Sequence, residues 1–522
     1  MKEKIIILGA GVMQGPVISI AKELGFFTIA LDGSSNAPCV SMADQFEQID
    51  LKDKEGIEEF ARYAQSSCER LGIMTAGTDF SASVAWAAEK LGLPGIPYEA
   101  ALNASDKSRM RGCFKKASLP SPDFFTVSEN DSINDIPLAF PVVIKPVDNM
   151  GSRGCRRADS AQELREAVKA AIGFSRSRRA IVESFMDGPE FSVDAIVYHG
   201  EITICGLADR HIFFPPYFIE MGHTMPTVIE KEKQSAMLET FCLGIRALGL
   251  AGEKNIGAAK GDIKLTPQGP MLGEIAARLS GGYMSGWTYP YSSGSYPIKA
   301  AILASMGRKP EGLVPTKNWT CAERAFISIP GTVKQIAGLN EAGNLPCVKD
   351  VFSRIAEGGN VSFPENNVTK CGNIIACAPR RGDAVTAAET AARSILLRLD
   401  PADPQTASFL STSTAFPPDA FSLTDELKAA LLKIPDCSPK KGSGENYSIY
   451  PFPEFCSSGL RDYMGRTVEE ALEAARNLSG FPLPLAGKNA DNQNMLGRSF
   501  WAALIRGSYQ GAVYYIENLT RD

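Results

Sequence analysis

The chain has 522 residues, an apolar fraction of 44% and a formal charge of -5 at pH 7, values that together indicate an ordinary soluble globular protein. A chain of this length predicts about three or four domains. The charges include no long basic run, so we do not expect nucleic acid as a partner. Apolar stretches stay well short of the roughly eighteen residues that a membrane span needs, and we expect a cytoplasmic protein with no membrane partner.

The cysteine and histidine content argues against a zinc site. Twelve cysteines are scattered along the chain without a CxxC pair, which is typical of reduced and mostly buried thiols. Only three histidines, His199, His211 and His223, are available as nitrogen ligands. We therefore look for chemistry that depends on carboxylates, lysines and glycine loops.

The first part of the chain alternates strand and helix signals. An apolar run from Ile5 to Leu8 precedes a glycine-containing turn, a helix through Leu24 and a strand, FFTIALD, that ends at Asp32. This alternation predicts a doubly wound parallel sheet. Glycine and proline in GLPGIP interrupt the pattern, so we assign this α/β domain to residues 1–103.

The turn GAGVMQG carries a possible nucleotide signal. Gly9, Gly11 and Gly15 lie between a strand and a helix, and Asp32 ends the next strand, as in a dinucleotide-binding fingerprint. The spacing is GxGxxxG, which also occurs where a strand packs tightly on a helix. We favour such a folding turn, whose helix N-terminus could face a small anionic group, over a nicotinamide site.

The order of predicted strands and helices changes after residue 103 and predicts an α+β region over residues 104–308. Strands are indicated at PVVIKPV, AIVESF, EFSVDAIVY, GDIKLT and MLGEIAA. Ser160 and Glu163 have the spacing of a capping box at the start of an amphipathic helix. Repeated glycine turns after GRKPEGLVP then indicate a β-rich subdomain over residues 309–399.

The last region, residues 400–522, opens with a linker rich in proline and serine. A helix is expected near Leu427, and the capping box of Thr467 and Glu470 predicts the start of another. The segment RSFWAALIRGSYQGAVYYIENL is apolar enough to pack against the rest of the chain or against a second copy in a homodimer. The sequence does not choose between these, and we assign this region neither a fold nor a chemistry.

A lysine and a glycine loop suggest a phosphate site. Lys145 ends an apolar strand, and Gly151-Ser152-Arg153-Gly154 follows six residues later. A lysine that leaves a buried strand supplies a fixed positive charge, while small residues with free backbone N–H groups can close over phosphates. A snorkelling lysine beside a flexible loop would produce the same pattern.

Two acids on a predicted hairpin suggest a cation site. Asp262 and Glu274 lie on two strands joined by the turn TPQGP, so antiparallel pairing would bring their carboxylates together. Oxygen ligands of this kind suit hard divalent cations. Arg278 follows and could hold a phosphoryl group or a carboxylate in its fork. A solvated acidic face is the alternative.

Taken together and in this order, these features resemble the ATP-grasp superfamily, which includes D-alanine ligases, biotin carboxylase, L-amino-acid ligases and purine-pathway carboxylases. The resemblance extends over roughly residues 1–398. The residues that carry it are Lys107, Lys145, the loop from Gly151 to Gly154, Glu183, Glu190, Asp262, Glu274 and Arg278.

The resemblance implies an ATP site. The lysines matching Lys107 and Lys145 hold ATP phosphates in such proteins. The glutamate matching Glu183, with the backbone next to Phe185, meets the adenine, and the one matching Glu190 meets the ribose. A glycine loop, residues 149–155 here, folds over the phosphates. The loop residues expected to contact them are Gly151, Ser152, Arg153 and Gly154.

The resemblance also implies metal-binding and catalytic residues. The acids matching Asp262 and Glu274 bind Mg²⁺, for which Mn²⁺ could substitute. The arginine matching Arg278 steadies the acyl phosphate or the substrate carboxylate, so Arg278 and Lys145 are the expected catalytic residues. Many members have asparagine where this chain has Ala276, and we expect water to complete that part of the metal site.

The segment RHIFFPPYFIEMGHTMP resembles the part of amino-acid ligases that lies over the acceptor pocket. Glu220 and His223 are then candidates to bind an amino group or the second substrate. A surface loop whose aromatic residues pack on the core is the alternative interpretation.

The resemblance implies an ADP-forming ligase that uses ATP and Mg²⁺ to activate a small-molecule carboxylate as an acyl phosphate and joins it to an amine. The continuation LSGGYMSG after Arg278 favours an amino-acid ligase over carboxyaminoimidazole ribonucleotide synthetase or a biotin-carboxylase-like enzyme that uses bicarbonate. A non-catalytic ATP-binding regulatory subunit and, from GAGVMQG alone, an NAD-dependent oxidoreductase are further alternatives.

Overall fold

The computed structural model describes residues 3–131, 133, 137–437, 447–486 and 494–520. The chain divides into two compact units, residues 1–323 with 377–385 and residues 324–376 with 386–522. None of the helices in these described ranges combines the length and apolarity needed to cross a membrane.

The first unit begins with the predicted parallel sheet. Its strands have the order β3-β2-β1-β4 and are all parallel. Ile5 and Ile7 of β1 pack in one apolar core, whereas Ile6 and Leu8 pack in another, so the sheet is covered on both faces. The elements are β1 (Lys4–Leu8), α1 (Gly15–Glu23), β2 (Phe27–Asp32), β3 (Gln45–Gln48), α2 (Lys54–Ser66), β4 (Leu71–Met74), α3 (Ser81–Leu91) and α4 (Tyr98–Ser105).

A small antiparallel sheet follows, with the strand order β5-β8-β6-β7. The apolar face of α6 packs on it. The capping box predicted for α6 is only half formed: Ser160 accepts the N–H of Glu163 at 3.3 Å, but the Glu163 carboxylate accepts from Asp159 at 2.7 Å. The elements are α5 (Lys107–Lys116), β5 (Phe124–Ser128), β6 (Val142–Pro146), β7 (Arg156–Ala158), α6 (Ala161–Phe174) and β8 (Arg179–Ser184).

A larger antiparallel sheet completes the first unit and contains the strand order β13-β12-β9-β10-β11. Phe241 and Ile245 of α7 pack in the apolar core on one side of it. The predicted hairpin is confirmed, because Asp262 and Glu274 are direct partners on β12 and β13. The elements are β9 (Glu190–Tyr198), β10 (Glu201–Phe213), β11 (Ile219–Met225), α7 (Lys231–Ala247), β12 (Ile256–Thr266), β13 (Gly269–Ala276), α8 (Tyr289–Ser293) and α9 (Pro297–Ser305).

Three elements include residues of both units: β14 (Thr320–Phe326), β18 (Gly372–Ala378) and α11 (Arg381–Ser394). In the second unit, β15 pairs antiparallel with β17 and β19, and β16 pairs antiparallel with β18. The remaining elements are β15 (Gly331–Ala337), α10 (Leu339–Gly343), β16 (Val348–Ser353), β17 (Asn360–Val361), β19 (Leu396–Leu399), α12 (Pro404–Ser411), α13 (Asp425–Lys433), β20 (Ser448–Ile449), α14 (Pro453–Cys456), α15 (Val468–Ser479), β21 (Met495–Leu496) and α16 (Arg498–Thr520).

The C-terminal region is built into the core of the second unit. The capping box predicted at Thr467 and Glu470 is confirmed at the start of α15. Helix α16 is interrupted at Ser508, whose backbone is non-helical (φ 53°, ψ -147°) and whose hydroxyl donates to Asp462 at 2.5 Å. Gln510 donates to the Ser328 hydroxyl at 2.8 Å. Polar contacts as well as apolar packing therefore fix this helix.

Candidate active site

Lys145 is held in place by a buried ion pair. It lies near the end of β6, and its Nζ is 2.7 Å from Oε2 of Glu183 on the neighbouring strand β8. Arg111 of α5 contacts the other oxygen of Glu183, also at 2.7 Å. Burial lowers the pKa of Lys145, but the Glu183 charge outweighs this effect and keeps the pKa above its ordinary value. Lys145 is therefore a permanent positive charge.

The position of Glu183 differs from the expectation that its carboxylate meets the adenine. Its side chain is 1% exposed, and both oxygens are engaged by cations. Burial raises its pKa, but Arg111 and Lys145 together hold that pKa below the usual range. Glu183 thus acts as the counter-ion that orients Lys145.

Lys107 joins the glycine loop to the acidic hairpin. It is the first residue of α5, directly after the N-cap Asp106. Its Nζ donates to the carbonyl oxygen of Asn149 at 2.8 Å and lies 3.1 Å from Oε1 of Glu274. One lysine therefore contacts both the start of the loop and a candidate metal ligand.

The glycine loop has a backbone conformation with positive φ angles, which its glycines permit. Gly151 (φ 69°), Ser152 (φ 59°) and Gly154 (φ 68°) all adopt left-handed conformations, which favour residues without a Cβ. A Cβ at Gly154 would lie 2.8 Å from the Phe174 ring. The predicted loop residues therefore form a tight turn that a larger side chain at Gly154 would disturb.

Asp262 and Glu274 face each other across β12 and β13, next to several cations. Asp262 accepts from the Ser192 hydroxyl at 2.8 Å and also contacts Lys260. Burial raises the pKa of both acids, but Arg210 and Lys260 hold the pKa of Asp262 below its usual range, and lysines, chiefly Lys107, do the same for Glu274. Two ionised carboxylates on adjacent strands supply the oxygen ligands that a hard divalent cation prefers.

Arg210 is a central residue that sequence reasoning missed. This partly buried arginine of β10 contacts three acids: the carboxylate of Glu190, Oε2 of Glu220 at 2.8 Å from Nε, and Oδ2 of Asp262 at 3.2 Å from Nη1. Glu190 is its register partner on β9. The available signal was that Arg210 is itself the charged first residue of the RHIFFPP segment.

Glu190 is the first residue of β9, and Phe185 directly follows β8. Lys264 of β12 approaches Oε2 of Glu190 at 3.8 Å. Two cations lie close to the Phe185 ring, with Arg157 at 4.7 Å and Lys264 at 5.3 Å from its centroid. The edge expected to bind the nucleoside therefore carries a half-buried aromatic ring and a paired acid.

Glu220 and His223 lie on β11, a strand buried along its whole length, so the surface-loop alternative is wrong for these residues. His223 Nε2 is 3.6 Å from Oε2 of Glu220, and its Nδ1 is 2.8 Å from Oε2 of Glu323. A Cβ at Gly282 would meet Oε1 of Glu220 at 3.0 Å. The structure brings the predicted pair together and adds Glu323, for which the sequence offers no local signal.

Arg278 contacts the loop that follows β4. Its Nε donates to the carbonyl oxygen of Thr78 at 3.1 Å. The next residue, Asp79, is a second missed acid: burial raises its pKa, while Lys107 and Arg278 oppose the shift. The sequence offered a signal for Asp79, because it follows a parallel strand and α/β proteins place ligand-binding residues there.

The segment after Arg278 is anchored by a buried acid. Asp194 of β9 accepts the N–H of Ser280 at 3.2 Å and its hydroxyl at 2.5 Å. Burial raises the pKa of Asp194 to about 6. This bond fixes the backbone between Arg278 and the glycines at 281 and 282.

The N-terminal glycine turn is closed by protein groups. Asp32 accepts the N–H of Ala10 at 2.9 Å, and the Gln14 amide oxygen accepts the N–H of Gly11 at 2.9 Å. A Cβ at Gly9 would lie 2.9 Å from that same oxygen. Since these backbone donors are already engaged, the geometry favours the folding-turn interpretation over a dinucleotide site.

Comparison with known families agrees with this arrangement. Residues 138–284 match the model of the ATP-grasp domain, and residues 325–400 match that of the L-amino acid ligase C-terminal domain 2. The first match includes Lys145, the glycine loop, both hairpin acids and Arg278.

Individual relatives extend the likeness. An uncharacterized protein, y4rH, of Sinorhizobium fredii is 26% identical over 66% of this chain and 71% of its own length. Carnosine synthase 1 of Gallus gallus is 25% identical over 68% of this chain, but the match covers only 38% of that enzyme. The solved L-amino acid ligase of Bacillus licheniformis has a TM-score of 0.65 at 21% identity, over 77% of this chain and 100% of its own, which is a likeness of fold.

Proposed function

Because this chain belongs to the ATP-grasp superfamily, we propose that it is an ADP-forming ligase that activates a small-molecule carboxylate as an acyl phosphate and joins it to an amine. The observation that carries the proposal is the facing pair Asp262 and Glu274 with Lys107 bound to Glu274. Two ionised acids and a lysine at one place suit a metal-bound polyphosphate.

The nucleotide contacts follow from the charges of the site. Lys107 and Lys145 would hold phosphates, because each is a cation fixed by a buried or partly buried acid. The left-handed loop at Gly151, Ser152, Arg153 and Gly154 would close over them. The backbone beside Phe185 would take the adenine, and Glu190 would take the ribose.

The donor set fits a divalent cation. Asp262 and Glu274 would hold Mg²⁺ or Mn²⁺, which neutralises phosphate charge when bound. In the protein described here, Lys260 and Arg210 neutralise Asp262. These two cations would then be free to face the phosphates or the neighbouring acids.

The remaining residues position the reacting groups. Arg278 would hold the substrate carboxylate or acyl phosphate, because its guanidinium is fixed at the loop after β4. Glu220 and His223 would meet the amine. A closed loop would exclude water, which would otherwise hydrolyse the acyl phosphate.

The relatives support an amino acid as one substrate. Two of them are called carnosine synthase and L-amino acid ligase, and residues 325–400 match a domain of the latter group. A small-molecule amine such as a second amino acid is therefore the acceptor we favour.

The direct test is Mg²⁺-dependent ADP release with amino acids supplied singly and in pairs, and with bicarbonate in a parallel series. We expect release to rise with at least one pair of amino acids. Glu274→Gln should lower that rate by on the order of 10²-fold or more, while the exposed control Glu201→Gln should not change it. Stimulation by bicarbonate alone would favour carboxylation, and ATP binding without any turnover would favour a regulatory subunit.

A further inference from the structure

A buried acid outside the predicted site contacts His223. Glu323, which is fully buried, places Oε2 2.8 Å from Nδ1 of His223. His223 itself is 3% exposed, and its other nitrogen, Nε2, is 3.6 Å from Oε2 of Glu220. The imidazole therefore lies between two carboxylates, one at each ring nitrogen.

The short contact constrains the tautomer of His223. An ionised carboxylate can only accept hydrogen bonds, so with Glu323 in its ionised form Nδ1 of His223 carries the hydrogen and donates it. In a neutral imidazole the lone pair then lies on Nε2, which becomes an acceptor. Carboxylates that orient a histidine in this way are found where the other nitrogen must accept a proton.

The other side of the histidine has the chemistry of an ammonium site. Nε2 of His223 and Oε2 of Glu220 are two acceptors 3.6 Å apart, which suits a donor with several N–H bonds. Arg210 holds Glu220 from one side at 2.8 Å. Gly282 (φ 60°) lies against both residues, since a Cβ there would be 3.2 Å from Cε1 of His223. A protonated amine is therefore a better complement than an anion.

Resting on the proposed ligase function, we propose that Glu323 is a positioning residue that keeps His223 in the Nδ1–H tautomer, so that Nε2 takes a proton from the incoming amine. The ammonium gives this proton to Nε2, and the neutral nitrogen attacks the carbon of the acyl phosphate. The C–N bond forms and the C–O bond to phosphate breaks. The second proton of the amine leaves with the phosphate, and His223 returns its own proton to solvent.

The test uses the fact that the chain has three histidines. We would record nitrogen-15 spectra of the full-length, histidine-labelled protein at alkaline pH and identify His223 by its loss in His223→Gln. We expect the Nδ1–H form for His223 and a mixture of tautomers in Glu323→Gln. The His211 signal, whose Nε2 lies 2.8 Å from Thr224, should not move. A wild-type His223 in the Nε2–H form, or an unchanged tautomer in Glu323→Gln, would overturn the proposal.

A second measurement separates this inference from the ligase assignment. With an accepted amino-acid pair, Glu323→Gln should lower kcat for amide formation by on the order of 10²-fold, the size of a general-base contribution, without changing the affinity for a non-hydrolysable ATP analogue. Glu323→Asp should recover part of the rate. Unchanged kcat in Glu323→Gln would contradict the role of Glu323. If no amino acid stimulates ADP release, the ligase function fails while the tautomer result still stands.

Discussion

At the scale of single residues, the site is a set of charges that neutralise one another inside the protein. Glu183 is almost completely buried yet ionised, because Arg111 and Lys145 each bind one of its oxygens. Breaking one partner of such a pair leaves a buried charge uncompensated. Substitutions here therefore change both binding and stability, and each needs a matched control.

Lys145→Met should weaken binding of an ATP analogue by at least about tenfold, since hydrogen bonds to charged groups contribute about 1.5–3 kcal/mol. Titration calorimetry measures this, at a temperature where circular dichroism shows the variant folded. Lys169→Ala, an exposed lysine on α6, is the control and should bind normally. Wild-type affinity in Lys145→Met would show that this lysine does not contact the nucleotide.

The raised pKa of Asp194 predicts that the free energy of unfolding depends on pH. Its pKa in the folded protein is about 6, above the unfolded value of 3.8, so the folded protein binds this proton more tightly. The resulting stabilisation is complete below pH 3.8 and is lost as the pH rises to about 6. The full loss corresponds to about 3 kcal/mol.

The measurement compares the Tm of the wild type and of Asp194→Asn across that pH range. We expect the advantage of the wild type to shrink as the pH rises, because only the wild type loses this proton. Asp187→Asn, at an exposed position, should show no such trend. A difference in Tm that stays constant with pH would mean that Asp194 does not titrate in this range.

At the scale of elements, a substitution in the glycine loop tests whether the backbone conformation of the loop matters for nucleotide binding. Gly154→Ala would place a Cβ 2.8 Å from Phe174 at a φ of 68°, so the loop must shift. We expect a higher KM for ATP in this variant. Gly173→Ala on α6 has no neighbour within 4 Å at its new Cβ and should keep the wild-type KM. Equal KM values in the two variants would show that the loop does not cover the phosphates.

The separation along the chain between contacting residues explains what the sequence could and could not predict. The β12–β13 hairpin brings Asp262 opposite Glu274 through a turn of local sequence, and the N-terminal alternation of strands and helices is also a local pattern. The contact of His223 with Glu323 joins residues 100 positions apart, and no periodic pattern encodes it. Arg210 and Asp194 were missed for a similar reason. Arg210 meets acids on strands that become its neighbours only in the folded sheet, and Asp194 meets Ser280, which lies 86 residues away along the chain.

At the scale of the whole molecule, the nucleotide residues and the C-terminal region belong to different units. Every residue proposed to bind ATP or metal lies in residues 1–323. The C-terminal helices contribute an aromatic cluster to the core of the second unit, in which the fully buried Trp501 packs on Phe452, Phe455 and Phe500. Stability and binding can therefore be perturbed separately.

Trp501→Ala should destabilise the second unit by about 3–5 kcal/mol, the usual cost of truncating a buried aromatic side chain. Differential scanning calorimetry should show that one unfolding transition of Trp501→Ala, that of the second unit, occurs at a lower temperature than in the wild type. Below that transition, the affinity for an ATP analogue should equal that of the wild type. Leu432→Ala, at a position 69% exposed on α13, should leave the transition nearly unchanged. A loss of nucleotide affinity in folded Trp501→Ala would contradict the separation of roles.

The central claim is that the substrate carboxylate is phosphorylated before the amine attacks. The most direct measurement supplies an accepted amino acid whose carboxylate carries a heavy oxygen isotope, together with ATP, Mg²⁺ and the acceptor, and analyses the released phosphate by mass spectrometry. Because the C–O bond of an acyl phosphate breaks on the carbon side, one heavy oxygen should appear in phosphate for each amide formed. Amide formation with unlabelled phosphate would contradict the account.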